Sequence, residues 1–83
     1  MVYEIILAKS AEKYLDKLNA KDRERIILAL EKLRFRPEAY LVRLVGENCY
    51  KLRVGPYRII VDLDKNLLAV LVIKIGHRKN IYK

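Results

Sequence analysis

A nine-residue segment with strict alternation constrains the fold of this chain more than any other part of its sequence. Residues 51–59 read KLRVGPYRI, in which basic and apolar side chains alternate on both sides of Gly55-Pro56. Period-2 alternation is typical of β-strands with one buried face, and Gly-Pro between two such runs predicts a tight turn. The segment therefore predicts a β-hairpin with one apolar and one basic face.

The predicted register of this hairpin places two like charges against each other. A tight turn at Gly55-Pro56 sets Arg53 directly across from Arg58, with Lys51 beside them on the same face. Such like-charge pairs destabilise a sheet, by about 0.2 to 1 kcal/mol. Three converging cations indicate a preformed site for a dense anion, and phosphate is the first candidate. The alternative is an ordinary solvated sheet face, and from the sequence both interpretations stay open.

Before the hairpin, the pattern changes from strand to helix. Residues 2–8 read as a strand, Ser10 is the expected N-cap of a helix that reaches about residue 18, and Asn19 is the expected N-cap of a second helix. Pro37 ends the second helix because it disfavours helical geometry at the preceding residue. The two helices therefore predict a helical hairpin.

After the helices, the chain reads as strands and turns. Four strands are predicted at residues 40–45, 49–54, 57–64 and 67–75, and their short connections favour an antiparallel meander. We expect the first strand to join beside a strand that is not its neighbour in sequence, with both helices on one face. The fold class predicted is a single α+β domain, residues 1–83, with an antiparallel sheet and an N-terminal helical hairpin.

The charge balance limits the class of partner. Lys and Arg number 18 against 10 Asp and Glu, which gives a formal charge of +8. A charge this high on a small domain favours an acidic partner, either nucleic acid, an anionic membrane or an acidic protein. The longest apolar run, residues 66–73, is too short to span a bilayer, and the first residues resemble no leader peptide. We therefore expect a cytoplasmic protein without a membrane role.

Metal or cofactor chemistry has little support in the sequence. His77 is the single histidine and has no carboxylate pair near it, which disfavours a metal cluster and a general acid–base role. Asp62 and Asp64 share a strand face and can be considered as Mg²⁺ ligands, but Asp64 precedes Lys65-Asn66 and is typical of a turn. We predict no cofactor and no metal.

The end of the last strand is expected to complete the basic site. An antiparallel return beside residues 57–64 brings Gly76-His77-Arg78 to the rim near Arg58, although a slip of one residue would move Arg78 to the other face. In that register Lys51, Arg53, Arg58 and Arg78 surround one spot, with Tyr82 available to stack on a base. Cations combined with an aromatic ring are typical of sites for single-stranded RNA.

Two segments of this sequence resemble the RelE branch of the RelE/ParE toxin superfamily. These are residues 49–60, CYKLRVGPYRII, and residues 73–82, IKIGHRKNIY. The resemblance covers almost the whole chain and implies a microbial-RNase-like RelE fold. It also implies a toxin of a type II toxin–antitoxin module, a ribosome-dependent endoribonuclease that cleaves mRNA in the A site and is held inactive by a cognate antitoxin.

The resemblance assigns a role to individual residues. Lys51 and Arg53 match the family's paired basic positions, Arg58 its phosphate-binding arginine, Arg78 the arginine near the leaving group, and Tyr82 the C-terminal tyrosine. The well-studied bacterial form has lysine at the position of Arg53 and a longer tail, so Tyr82 aligns only across a gap. His77 and Lys79, which flank Arg78, are further RNA-binding candidates.

The mechanism expected from these residues is attack of the substrate's own 2′-hydroxyl on the adjacent phosphorus. The arginines would stabilise charge on the phosphoryl oxygens, and Lys51 could act as the base. The expected partners are the ribosome, mRNA and a RelB-like antitoxin, with the toxin–antitoxin pair doubled to a heterotetramer. Two alternatives remain, a ParE-like toxin that inhibits DNA gyrase without cleaving RNA and a catalytically inactive RNA- or protein-binding module.

Overall fold

A five-stranded sheet with helices on one side forms the framework of the chain. The computed structural model describes residues 2–44, 46 and 49–77. In chain order the elements are β1 (Glu4–Leu7), α1 (Lys9–Lys17), α2 (Ala20–Leu33), α3 (Pro37–Tyr40), β2 (Val42–Arg43), β3 (Tyr50–Val54), β4 (Tyr57–Asp64) and β5 (Ala69–His77). The spatial order of the strands is β1-β5-β4-β3-β2, which confirms the predicted α+β class.

The sheet is mixed rather than wholly antiparallel. Strands β2 to β5 form the predicted antiparallel meander, and β1 joins it beside β5, as expected for a strand that pairs away from its sequence neighbour. However, β1 runs parallel to β5, with Ile5 opposite Val70 and Leu7 opposite Val72. Parallel neighbours need a long crossover connection, and the helices between β1 and the meander provide it.

One face of the sheet and the helices enclose the core. The largest fully buried side chains come from both layers and are Ile26, Leu33, Ile59, Val61, Val70 and Val72. Helix α1 packs on β5, while α2 contacts β1 and β3. Alternation then turns every second residue of the strands to the opposite face, on which none of the described helices packs.

The N-cap prediction was correct for α2 and wrong for α1. The Asn19 side chain accepts a hydrogen bond from the Asp22 backbone N–H at 2.9 Å, as an N-cap should. Helix α1 instead starts after Ala8, which has no side chain to cap it. Ser10 lies in the first turn, where its hydroxyl donates to the Ile73 carbonyl oxygen at 3.3 Å. The Ser10 hydroxyl therefore links α1 to β5 and does not cap the helix.

A single arginine closes the junction between α1 and α2. The Arg23 guanidinium donates to the Leu15 carbonyl at 3.0 Å, to the Leu18 carbonyl at 2.8 Å and to the Asp16 carbonyl at 3.4 Å. The last carbonyls of a helix have no partner within the helix, and a cation there also favours the helix dipole. Arg23 thereby fixes how α2 leaves α1.

The region after α2 differs from the prediction of a long strand at residues 40–45. Pro37 occupies the first turn of the short helix α3, a position where the missing N–H costs no hydrogen bond. Tyr40 therefore belongs to a helix, and the strand is reduced to Val42–Arg43. The prediction treated Pro37 only as the end of α2 and overlooked that proline also starts helices.

The strand predicted at residues 67–75 begins and ends two residues later. The Asp64 carboxylate accepts hydrogen bonds from the backbone N–H groups of Asn66 and Leu67, both at 3.0 Å. Leu68 has a positive φ of 53°, which keeps the turn open until Ala69. This local hydrogen bonding delays β5, so that the strand extends to His77.

Tyr57 anchors the start of β4 to the helical layer. Its hydroxyl donates to Asp22 Oδ2 at 2.7 Å, and its ring makes edge contacts with Tyr14 and His77, at centroid distances of 6.4 and 5.8 Å. The hydrogen bond to Asp22, followed by burial, raises the pKa of Tyr57 above its ordinary value of 10.0. The folded state therefore favours the protonated phenol.

Tyr57→Phe tests this anchor without changing the ring. We expect the substitution to lower the free energy of unfolding by about 0.5 to 1.5 kcal/mol near neutral pH, because one hydrogen bond is lost. Since the folded state holds the phenolic proton more tightly, the extra stability of the native protein over Tyr57→Phe is complete below pH 10.0 and declines above it. Urea unfolding between neutral and alkaline pH measures this difference.

Tyr40→Phe is the matched control, because its side chain is 46% exposed. It should change the free energy of unfolding little. A stability difference between the native protein and Tyr57→Phe that stays constant above pH 10.0 would contradict the role of the hydrogen bond.

Candidate nucleic-acid interface

The hairpin forms with the predicted register. Arg53 pairs directly with Arg58, and Val54 pairs with Tyr57 next to the turn. Gly55 has a φ of +57°, in the left-handed region where glycine carries no steric penalty. The predicted cross-strand arginine pair is therefore confirmed.

The two faces of the hairpin differ in chemistry. Leu52 and Ile59 pair on the helix side and are buried. Alternation places Lys51, Arg53 and Arg58 together on the opposite side, which we call the basic face. Arg53 is exposed, whereas Lys51 and Arg58 are half-buried, and the Arg58 Nε atom is buried. Directly opposed residues have Cβ atoms about 4.5 to 5.5 Å apart, so the two arginine side chains leave the sheet next to each other.

Two of the three cations of the basic face lack an ion-pair partner among the described residues. Within the described part of the chain, Lys51 and Arg53 form no ion pair. On this side of the sheet, Lys51 pairs with Val42 of β2 and with Ile60 of β4. Lys51 therefore has apolar lateral neighbours in the adjacent strands.

The described part of this face contains no aromatic side chain. Tyr50 and Tyr57 belong to the same two strands, but the register turns both toward the helices. The described residues of this face therefore offer no ring that could stack on a base, but they offer three cations that can bind phosphate. The described residues of the basic face suit recognition of phosphate groups of a nucleic-acid backbone.

The end of β5 approaches Arg58 as predicted. Gly76 pairs directly with Arg58, so β5 places no side chain opposite the arginine. Gly76 is itself buried and Arg58 is half-buried, so the end of β5 packs closely beside the arginine.

His77 lies on the other side of the sheet from the basic face. It pairs with Tyr57, and its ring packs edge-on against the Tyr57 ring at 5.8 Å. Because neighbours in a strand point to opposite faces, the register that brings Gly76 to Arg58 turns His77 toward the helices. The prediction of His77 as an RNA-binding residue of this site required it to lie together with Lys51 and Arg53. The structure does not bring these residues together.

Three further predicted site residues, Arg78, Lys79 and Tyr82, lie outside the described residues. Their roles stay predictions.

The two aspartates considered for Mg²⁺ have different environments. Asp64 closes the turn before β5 through its hydrogen bonds to two backbone N–H groups, which confirms the turn interpretation. Asp62 is half-buried and pairs with Leu71. Among the residues that the structure describes, no group of three or more metal-ligating side chains is present, and no helix is long and apolar enough to cross a membrane.

Sequence reasoning missed two residues of α2 that support the hairpin from behind. Asp22 accepts the Tyr57 hydroxyl, and the Arg25 guanidinium lies against Gly55, with Nη2 only 2.8 Å from where a Cβ atom would stand. No local pattern reveals these contacts, because they depend on how α2 docks on the turn. The glycine itself was the available signal, since a turn glycine can also mark close approach of another group.

Comparisons with known proteins identify the family and the fold of this chain. The chain matches the family model described as ParE toxin of type II toxin-antitoxin system, parDE, over residues 5–82. It is similar to the solved toxin–antitoxin complex RelBE of E. coli, with 30% identity and a TM-score of 0.76, over 90% of this chain and 95% of that chain. No curated protein matches the sequence.

Two archaeal structures are also similar. The RelB–RelE complex of Methanococcus jannaschii has 28% identity and a TM-score of 0.74, over 93% of this chain and 94% of that chain. The RelE–RelB complex of Pyrococcus horikoshii has 23% identity and a TM-score of 0.82, over 96% and 99% respectively, and supports the fold alone. Taken with the family match over residues 5–82, these findings show that the chain belongs to the ParE toxin family of type II toxin–antitoxin systems, within the RelE/ParE superfamily.

Proposed function

We propose that this toxin is an endoribonuclease that cleaves mRNA in the ribosomal A site and is neutralised by a RelB-like antitoxin. The observation that carries the proposal is the directly opposed Arg53–Arg58 pair, with Lys51 on the same face. A sheet that needed only solubility would place acidic residues opposite basic ones. Because the hairpin keeps two arginines opposite each other in spite of their repulsion, we infer a ligand with closely spaced negative charges.

The chemical step that suits these residues is an internal transfer within the RNA. The 2′-hydroxyl oxygen attacks the adjacent phosphorus, the bond from phosphorus to the 5′-oxygen breaks, and a 2′,3′-cyclic phosphate remains. The proton of the 2′-hydroxyl passes to a base, and the departing 5′-oxygen gains a proton. Arg53 and Arg58 stabilise the charge that grows on the phosphoryl oxygens, while Lys51 is the candidate base.

Arg78 and Tyr82 complete the proposed site through the family resemblance alone. Arg78 would bind near the leaving oxygen, and Tyr82 would contact a base. Their assignment is supported by their positions after β5, whose end pairs with Arg58.

Dependence on the ribosome is consistent with the chemistry of the basic face. Arginine stays protonated in proteins and transfers protons poorly, so the described residues offer limited acid–base catalysis. The rate of cleavage at such a site rises most when a larger assembly holds the RNA in the reactive geometry. The ribosome would provide that orientation for an mRNA in the A site.

Inhibition of DNA gyrase is the second candidate function, because the matching family model is that of ParE toxins. A toxin of that kind acts by protein contact and does not need opposed arginines on one face. The cluster on the basic face therefore favours the nuclease.

The partner we propose is an antitoxin of the RelB type, because the similar structures from E. coli and M. jannaschii are complexes of RelE with RelB. With a formal charge of +8, the toxin should attract an acidic chain. An extended chain that folds on binding can cover such a small body without a deep pocket.

Arg58→Met tests catalysis directly, because methionine keeps much of the apolar stem while removing the charge. We expect A-site cleavage of mRNA on programmed ribosomes to fall by about 10²- to 10³-fold, equivalent to one lost transition-state contact of about 3 to 4 kcal/mol. The free energy of unfolding should stay equal or rise slightly, since the repulsion with Arg53 is relieved.

Lys65→Ala is the matched control, an exposed cation in the turn at the opposite end of β4, about 23 Å away along the strand. It should cleave like the native toxin. Full cleavage by Arg58→Met, or toxicity of that variant together with impaired supercoiling, would exclude the nuclease and favour the gyrase alternative.

Copurification with the antitoxin should give a one-to-one complex, doubled to a heterotetramer through the antitoxin. Light scattering coupled to size-exclusion chromatography measures its mass. A toxin that associates only with itself in the presence of the antitoxin would be inconsistent with this assembly.

A further inference from the structure

We propose that Arg25, on α2, is an additional phosphate contact that extends the RNA site across the Gly55-Pro56 turn. The ligand chemistry is a phosphodiester of single-stranded RNA, supplied either by mRNA or by ribosomal RNA. This inference rests on the proposed nuclease function and adds a residue that neither the alternation pattern nor the family resemblance assigns.

The Arg25 guanidinium lies against the Gly55 turn. The ideal Cβ position of Gly55 is 2.8 Å from Arg25 Nη2 and 3.3 Å from both Cζ and Nη1. Any side chain at residue 55 would displace the guanidinium, so Gly55 provides both the positive φ of the turn and the space that Arg25 occupies.

The charge and donors of Arg25 remain available to a ligand. Arg25 is exposed, and within the described part of the chain it forms no ion pair and no side-chain hydrogen bond. The Asp22 carboxylate, three residues earlier on α2, accepts the Tyr57 hydroxyl at 2.7 Å and forms no ion pair with Arg25. A guanidinium carries five N–H donors in a fork that suits phosphate oxygens.

Arg25 lies at the turn that connects the two strands of the basic face, on the helix side of Gly55. Gly55 lies two residues beyond Arg53, which corresponds to about 7 Å along a strand. A single strand whose phosphate lies between Arg53 and Arg58 can therefore reach the turn within the next nucleotides. Arg25 would bind that flanking part of the strand, and the reacting phosphate would stay with Arg53 and Arg58.

Salt dependence of binding to a synthetic single-stranded RNA of about 12 nucleotides tests this contact. Each phosphate contact to a single strand contributes about 0.7 to the slope of log affinity against log salt. Arg25→Ala should therefore lower the magnitude of the slope by about 0.7, as should Arg58→Met. Lys32→Ala, seven residues along the same helix, removes an equal charge and should leave the slope unchanged.

Cleavage on programmed ribosomes separates a binding role from a catalytic one. Arg25→Ala should raise the toxin concentration needed for half-maximal cleavage and preserve the rate at saturation, whereas Arg58→Met should lower that rate. Arg25→Lys should restore part of the affinity, because it keeps the charge without the fork. Thermal unfolding of each variant checks that the exposed substitution leaves the fold intact.

The binding assay and the cleavage assay together distinguish mRNA from ribosomal RNA as the source of the phosphate. They also distinguish failure of the Arg25 contact from failure of the proposed nuclease function. If Arg25→Ala weakens both binding to the free RNA and cleavage on ribosomes, the result supports a contact with mRNA. If it weakens only cleavage on ribosomes, the result supports a contact with ribosomal RNA. If Arg58→Met impairs cleavage while Arg25→Ala and Lys32→Ala bind and cleave alike, the Arg25 contact is wrong and the nuclease stands. If Arg58→Met also has no effect, the proposed function itself fails.

Discussion

Burial of the apolar side of one hairpin against the helices holds two mutually repelling arginines opposite each other. Leu52 and Ile59, which pair on the helix side, are buried, and each contributes about 1.5 to 3 kcal/mol. The repulsion between Arg53 and Arg58 on the other side costs about 0.2 to 1 kcal/mol. The apolar side therefore outweighs the charged side, and the hairpin keeps its two arginines on one face in spite of their repulsion.

The helices control this hairpin through polar contacts as well as through the core. The Tyr57 hydroxyl reaches Asp22 at the start of α2, and the Arg25 guanidinium packs on Gly55. Arg23 in turn fixes α2 to the end of α1. The contacts of Asp22 and Arg23 lie on the helix side of the hairpin, away from the basic face, whereas Arg25 lies at the turn, at the edge where we propose that the RNA strand passes.

Local rules predicted the parts of the structure that local interactions determine. Strand alternation and a short turn define the hairpin register, so the Arg53–Arg58 pair followed from sequence, as did the Asn19 cap. The parallel placement of β1 and the contacts of Asp22 and Arg25 depend on docking between distant elements, which no periodicity encodes. His77 was misplaced because a single step along β5 reverses the face of a residue.

End-group analysis of RNA from ribosomes with a defined A-site codon tests the proposed chemistry most directly. The purified toxin should cut the mRNA within that codon and leave a 2′,3′-cyclic phosphate on the upstream fragment and a 5′-hydroxyl on the downstream fragment, because the attacking oxygen belongs to the RNA. Fragments with a 3′-hydroxyl and a 5′-phosphate would show that water is the nucleophile. Intact mRNA on fully loaded ribosomes would contradict RNA cleavage altogether.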